Sequence, residues 1–245
     1  MPRIRNAEIL PYAALYFWKH PDEDHVLRAV VAGLYNNIVC AYSPTGWGPW
    51  ETSLHFENVT LPYAQTVSVD GVPNQAEELY WGRTHLGVGI GYRRQLQEPS
   101  FDDNMLEVSF IPEVGFLYFH EGAETVDTMR TPSNTMELRG RLRLRFDRME
   151  RNLFGLPHKG DVVGSDFALV RRMNWEDWGV DRSENAGDSR EFLWGAAYFL
   201  HARQFPFVES ERHRLLFTLQ GGIGENMDRF SQFQIGGGPA GDDFE

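Results

Sequence analysis

Between Met136 and Phe146 the chain alternates without interruption. Met136, Leu138, Gly140, Leu142, Leu144 and Phe146 are interleaved with Glu137, Arg139, Arg141, Arg143 and Arg145. A period of two puts the two sets on opposite sides of an extended strand, whereas a helix would spread the arginines round its surface. The stretch predicts a strand with one apolar and one charged face. Such a strand suits the wall of a membrane barrel with a polar lumen, and it also suits an exposed strand of a soluble sandwich.

Leu79 to Leu96 repeats the theme with a difference. Leu86, Val88, Ile90 and Tyr92 alternate with Gly87, Gly89 and Gly91, so one face lacks side chains. In a soluble sheet that face would have nothing to pack; in a barrel it makes room for a plug, a loop or curvature. A nucleotide-binding glycine loop would need Gly-x-Gly-x-x-Gly and a following helix, and the stretch offers neither.

Further strands are expected at Ile9 to His20, Val26 to Tyr42, Trp50 to Tyr63, Met105 to His120, Val162 to Trp175, Phe192 to Arg203, Arg212 to Gly224 and, shorter, Phe230 to Ile235. Together these make roughly ten strands, long against the usual five or six residues. Polar connections at 21–25, 121–134 and 176–190 imply hairpins and hence antiparallel order. Trp47, Trp50, Tyr80, Trp81, Trp175, Trp178, Trp194, Tyr198 and Phe199 lie near strand ends, where a barrel carries aromatic girdles. In a sandwich the same residues would be core.

Composition narrows the class. The excess of 35 Asp and Glu over 23 Lys and Arg, a net charge of -12, argues against a nucleic-acid partner, because phosphate binding needs clustered cations. Aromatics at 13% and 24 glycines favour strands. One domain spanning 1–245 is expected from the length. No run approaches the roughly 18–20 apolar residues of a membrane helix. A barrel stays open, since alternating strands keep the mean hydropathy low, here -0.43. The single cysteine, Cys40, excludes an intramolecular disulfide framework and a Cys-rich metal site, and reads as a small hydrophobe. Arg3 and Arg5 precede an apolar segment, Ile9 to Trp18, that superficially resembles an export signal but carries four aromatics and no small-x-small cleavage site. It reads as a strand, so the chain is expected to be a piece of a longer protein or to begin at a misassigned start.

Catalytic and metal patterns are not found. None of the eight histidines forms His-Glu-x-x-His, and His20 with His25, or His201 with His213, fits no common ligand spacing. Asp22-Glu23-Asp24 lacks the glycine and terminal glutamate of a calcium loop, and Gly164-Ser165-Asp166 is not a nucleophile elbow. Glu77-Glu78 and Asp102-Asp103 are sequence neighbours, which face opposite sides of a strand. The expectation is a non-enzyme with no metal and no cofactor.

The turn after the arginine strand runs Phe146-Asp147-Arg148-Met149-Glu150-Arg151-Asn152-Leu153-Phe154-Gly155-Leu156-Pro157-His158-Lys159-Gly160, acidic, with Arg and Asn, and closing on Pro-x-x-Gly. Downstream, Leu215 to Gly224 leads into Asp228-Arg229-Phe230-Ser231-Gln232-Phe233-Gln234-Ile235-Gly236-Gly237-Gly238. In this order the two segments resemble the C-terminal barrel of the bacterial surface antigen family. That family includes the central subunit of the barrel assembly machinery, the translocation and assembly module, and two-partner secretion translocators. The likeness covers about the last 110 residues, and upstream only generic barrel alternation continues. Asp147, Asn152, Pro157 and Gly160 match the family's turn, and Gly236, Gly237 and Gly238 match the start of its internal loop. The family's Val-Arg-Gly-aromatic motif is replaced by Pro239-Ala240-Gly241-Asp242-Asp243-Phe244-Glu245, so the loop arginine is missing.

The resemblance implies an antiparallel transmembrane β-barrel of the outer membrane, with this chain an incomplete piece of a sixteen-stranded wall. Sequence outside the chain, or a partner, would complete it. Arg139, Arg141, Arg143 and Arg145 would line the lumen. The implied partners are the lipid bilayer, client polypeptides and other envelope assembly subunits; the implied role is insertion or transport of polypeptides or lipids. A passive porin-like channel and a soluble β-sandwich binding module are the alternatives.

Overall fold

Alternating apolar and polar residues, β-branched and aromatic side chains, and few helix-forming runs leave the chain little but strand to adopt. The computed structural model describes residues 15–19, 21–32, 35–60, 65–69, 72–96, 105–150, 159–205 and 213–232. Its strands are β1 (Leu15–Lys19), β2 (His25–Val31), β3 (Tyr35–Tyr42), β4 (Trp50–Thr60), β5 (Gln65–Val69), β6 (Val72–Gln95), β7 (Met105–Glu121), β8 (Met129–Arg130), β9 (Thr135–Asp147), β10 (Gly160–Arg172), β11 (Gly179–Val180), β12 (Glu191–Gln204) and β13 (Arg214–Glu225). One helical turn, α1 (Ala186–Ser189), precedes β12.

The protein is all-β. An 11-stranded antiparallel sheet runs β1-β2-β3-β4-β6-β7-β9-β10-β12-β13, with β5 paired to β6, and β8 and β11 form a small second sheet. Among the described residues β1 and β13 are the free edges, so no closed barrel is formed there. Each long strand pairs with the next long strand in the chain, as short connections dictate. Val26 to Tyr42, expected as one strand, is a hairpin instead. The Ala32 N–H donates to the Tyr35 carbonyl at 2.9 Å, and β2 folds back on β3. Both arms share one hydropathy pattern, which hid the turn.

The two faces differ in an unusual sense. On β7, Leu106, Val108, Phe110, Val114 and Phe116 are exposed, while Glu107, Ser109, Glu113 and the apolar Met105 and Ile111 are buried. On β9, Met136, Leu138, Leu142 and Phe146 are exposed, while Glu137, Arg139 and Asp147 are buried. The apolar set therefore faces out and most of the charged set faces in, against the usual order of a soluble sheet.

Sheet curvature accounts for that burial. Glu57 on β4 lies 3.7 Å from Arg139 on β9, yet β6 and β7 intervene. In a flat sheet three strand spacings would separate them by about 14 Å at the backbone. His85 on β6 similarly reaches Glu137 on β9 at 3.2 Å, across β7. The charged face is the concave one.

Glycines make room for the converging side chains. A Cβ at Gly87 would lie 2.6 Å from Glu113 Cγ, and one at Gly89 2.3 Å from Ser53 Oγ. The side-chain-free face of β6 is thus occupied by residues from β4 and β7 leaning across it. One end of the sheet is capped by the connections between β7 and β9 and between β10 and β12, and by the segment after β13. Leu79, Trp81, Leu117, Phe119, Met129, Trp175, Trp178, Ala186 and Phe230 form the apolar core of this cap.

Several aromatics expected in outer girdles lie elsewhere. Trp175 and Trp178 are buried in the cap, and Trp81 faces inward into it. Trp194 lines the inner pocket, and Tyr198 packs inside over Gly164. Position near a strand end does not fix the face; parity along the strand does. Trp47 and Trp50 are exposed as expected, and Trp50 meets Tyr92 edge-on at 5.7 Å. Phe230 to Gln232 form a turn rather than the start of a strand, because Asp228 accepts the backbone N–H groups of Phe230 and Ser231, each at 3.1 Å. The remainder of that expected strand lies outside the described residues.

Candidate functional site

The concave face carries the chain's concentrated chemistry. Strict alternation on β9 points Arg139, Arg141, Arg143 and Arg145 to the same side, and each meets a carboxylate. Arg139 pairs with Glu113 and, at 3.7 Å, with Glu57. Arg141 meets Glu113 at 2.9 Å, Arg143 meets Asp166 at 3.1 Å, and Arg145 meets Asp147 at 2.8 Å. On neighbouring strands Arg93 bridges Glu51 at 3.3 Å and Glu107 at 3.7 Å, and Arg83 meets Glu57 at 3.2 Å. Buried charges are tolerated only when paired, and this layer pairs guanidinium with carboxylate across five adjacent strands.

Arg172, at the cap end of β10, is the most connected of these groups and only 1% exposed. Its Nε donates to Glu137 at 2.9 Å, Nη1 to Asp228 at 2.5 Å and to the Ser189 carbonyl at 3.3 Å, and Nη2 to Ser231 Oγ at 2.8 Å. The guanidinium also lies 4.2 Å from the Trp175 ring centroid. Arg229 adds a second tie, donating to the Glu77 carboxylate and carbonyl at 3.2 Å each. Two oppositely charged residues next to each other, Asp228 and Arg229, therefore hold the segment after β13 against the inner face.

Asp147 is fully buried and accepts the Met149 N–H at 2.9 Å, turning the chain out of β9. The Arg148 N–H then donates to the Asp161 carbonyl and the Glu150 N–H to the Lys159 carbonyl, closing the connection to β10. Gly160 begins β10 at φ 123°, where a Cβ would sit 2.0 Å from the Arg148 carbonyl oxygen. Asn152, Pro157, Gly236, Gly237 and Gly238 lie outside the described residues.

No group of three or more His, Cys, Asp or Glu among the described residues could hold a metal ion. The histidines instead find local partners: His85 with Glu137, His55 with Ser53 at 2.8 Å, His201 with Asp161 at 2.7 Å, and His25 with Asp22 at 2.7 Å. Sequence reasoning placed Glu137 on the charged face without giving it a partner, and it missed Glu113, Arg172, Asp228 and the Arg229–Glu77 pair. The parity of β7, with Glu107 and Glu113 alternating against Leu106 to Phe116, was a legible signal for the first. The contacts of Asp228 and Arg229 span dozens of residues and had none.

No protein-family model, curated protein or solved structure matches this chain.

Proposed function

We propose that the chain forms part of the wall of an outer-membrane β-barrel, with the charged face toward the lumen and the apolar face toward lipid. The reversed sidedness of the sheet carries the reading. Val88, Ile90, Phe110, Leu169 and Leu219 are each at least half exposed on a continuous outer surface. Soluble monomers seldom expose apolar patches beyond a few hundred Å². Each such side chain stands to gain roughly 1.5–3 kcal/mol from full burial in an apolar medium.

Dimensions agree. Leu106 to Phe116 on β7 spans ten residue steps, about 33 Å along the strand and about 25 Å at the tilt of roughly 40° usual in such barrels. The apolar band also crosses the hydrogen-bonded rows obliquely. Trp50, at its lower edge on β4, shares a row with Tyr92, Val108, Leu144, Ser165, Ala197 and Gly221, whereas on β13 the band reaches the exposed Leu215, six residues further. That drop over six strand spacings corresponds to a tilt of roughly 35°.

The role in inserting or transporting polypeptides or lipids follows from the resemblance to the surface antigen family. It draws support from the Met227 to Gln232 segment, which folds onto the inner face just before the glycines where the family's internal loop begins. The alternative of a soluble binding module predicts a detergent-free monomer.

The test places single cysteines at Val88, Leu169 and Ser109 in a Cys40→Ser background and reconstitutes the chain in vesicles. Val88→Cys and Leu169→Cys should resist a water-soluble maleimide and have an attached fluorophore quenched by lipids labelled in the acyl chain; Ser109→Cys should not be quenched. Equal quenching at all three sites would remove the membrane assignment. Faster insertion of an unfolded barrel client into these vesicles than into empty ones supports the assembly role, and ion-selective conductance without that effect replaces it with a channel.

A further inference from the structure

Below the Phe230 to Gln232 turn the inner face leaves a pocket of about 340 Å³, at the small end of the range for small-molecule sites. Trp81, Phe192 and Trp194 give it an apolar wall, and Arg83, His85, Glu137, Arg139 and Arg172 give it a polar floor. The floor's hydrogen-bonding capacity is lopsided. Among the described residues Glu137 is the only carboxylate lining the pocket, and both its oxygens are engaged, one by Arg172 Nε and the other by His85 Nε2, while Glu57 and Glu113 hold other nitrogens of Arg83 and Arg139 from outside the pocket. Arg83 Nε and His85 Nδ1 are buried without a hydrogen-bond partner among the described residues, and Arg139 Nη2, also without a hydrogen bond there, has the Glu57 carboxylate 3.7 Å away. The Arg139 and His85 side chains are 6% and 3% exposed, so these nitrogens are removed from bulk water, while the Arg83 side chain, 33% exposed, stands at the mouth.

Guanidinium nitrogens can only donate, so whatever satisfies them must accept. An unpaired buried donor is costly, and a charged oxygen acceptor is its strongest partner. We propose that this pocket binds a small organic anion, its carboxylate or phosphate oxygens meeting Arg83 and Arg139 and its apolar or aromatic body lying against Trp81, Phe192 and Trp194. Aromatic walls with a few converging polar groups are the usual form of such a site. It depends on the concave face alone, so its success or failure is separate from that of the membrane assignment.

The test titrates benzoate and phenyl phosphate into the full chain folded in detergent, following tryptophan emission from Trp81 and Trp194. Inorganic phosphate and benzyl alcohol serve as the anion and the apolar body alone. At least one aromatic anion should give a saturable change, with each half-probe at least about tenfold weaker. Arg83→Met, at the partly exposed mouth, should fold and weaken binding about tenfold or more, and Gln232→Trp, which fills the roof, should abolish it. The proposal is overturned by no saturable response to either aromatic anion up to about 10 mM, by benzyl alcohol binding as tightly as they do, or by unchanged affinity in Arg83→Met.

Discussion

Replacing Arg172 with methionine isolates the most consequential contact in the molecule. Methionine keeps much of the stem's bulk beside Trp175 and Phe192 but removes every hydrogen bond of the guanidinium. Glu137 and Asp228, both buried, then lose their main cation. Stranding one buried charge typically costs about 3–5 kcal/mol, and two carboxylates depend on Arg172, which sets the expectation at the upper part of that range. With a urea slope of about 2–3 kcal/mol/M for a chain of this size, the midpoint should fall by about 1.3–2.5 M. The assay is urea unfolding of the detergent-folded chain, read by tryptophan emission from the cap, where Trp81, Trp175 and Trp178 lie. Adding Asp228→Asn to Arg172→Met should return part of the loss, because the stranded charge is gone, with a coupling of about 1–3 kcal/mol between the two sites. A midpoint within about 0.3 M of wild type, or strictly additive effects in the double variant, would refute the view that Arg172 holds the cap to the wall.

Further outcomes follow from the same geometry. Gly82→Ala would place a Cβ 2.3 Å from Tyr118 Oη and should displace the ring, breaking its 2.8 Å hydrogen bond to Thr60 and costing about 1–3 kcal/mol; adding Tyr118→Ser should recover most of this in the same unfolding assay. Gly160→Ala should cost at least about 1 kcal/mol, since both the positive φ and the Arg148 carbonyl oppose a side chain, and protease cleavage between 148 and 160 should rise. Leu169→Arg, on the outer face, should cost about 2–4 kcal/mol in vesicles if that face meets lipid, and close to nothing if it meets water. The Asp22 carboxyl should titrate below 3.8 by NMR because His25 donates to it; its folded value is the lower one, so the small stabilisation is present above the unfolded value and fades as pH falls through the folded one.

Local alternation was enough to determine the all-β class, the antiparallel order and the split of β9 into an apolar and an arginine face. Each depends only on neighbours two residues apart or on short connections, which any strand must obey. The glycine face of β6 was equally legible as a place left open for something else. What filled it was not, because Glu113 and Ser53 arrive from strands set by the register of β4, β6 and β7. Trp81 and Trp194 were misplaced for a related reason, since nearness to a strand end is weaker information than parity.

The tertiary structure alone decided which way the faces turn. A strand with one apolar and one charged side can bury either, and only the curvature that brings Glu57 to Arg139 across two intervening strands makes the charged side the inner one. Likewise, Asp228 and Arg229 read as an ordinary polar turn until folding sets them against Arg172 and Glu77. Pairings between residues so far apart in the chain arise from sheet curvature and chain reversal, which no local period records.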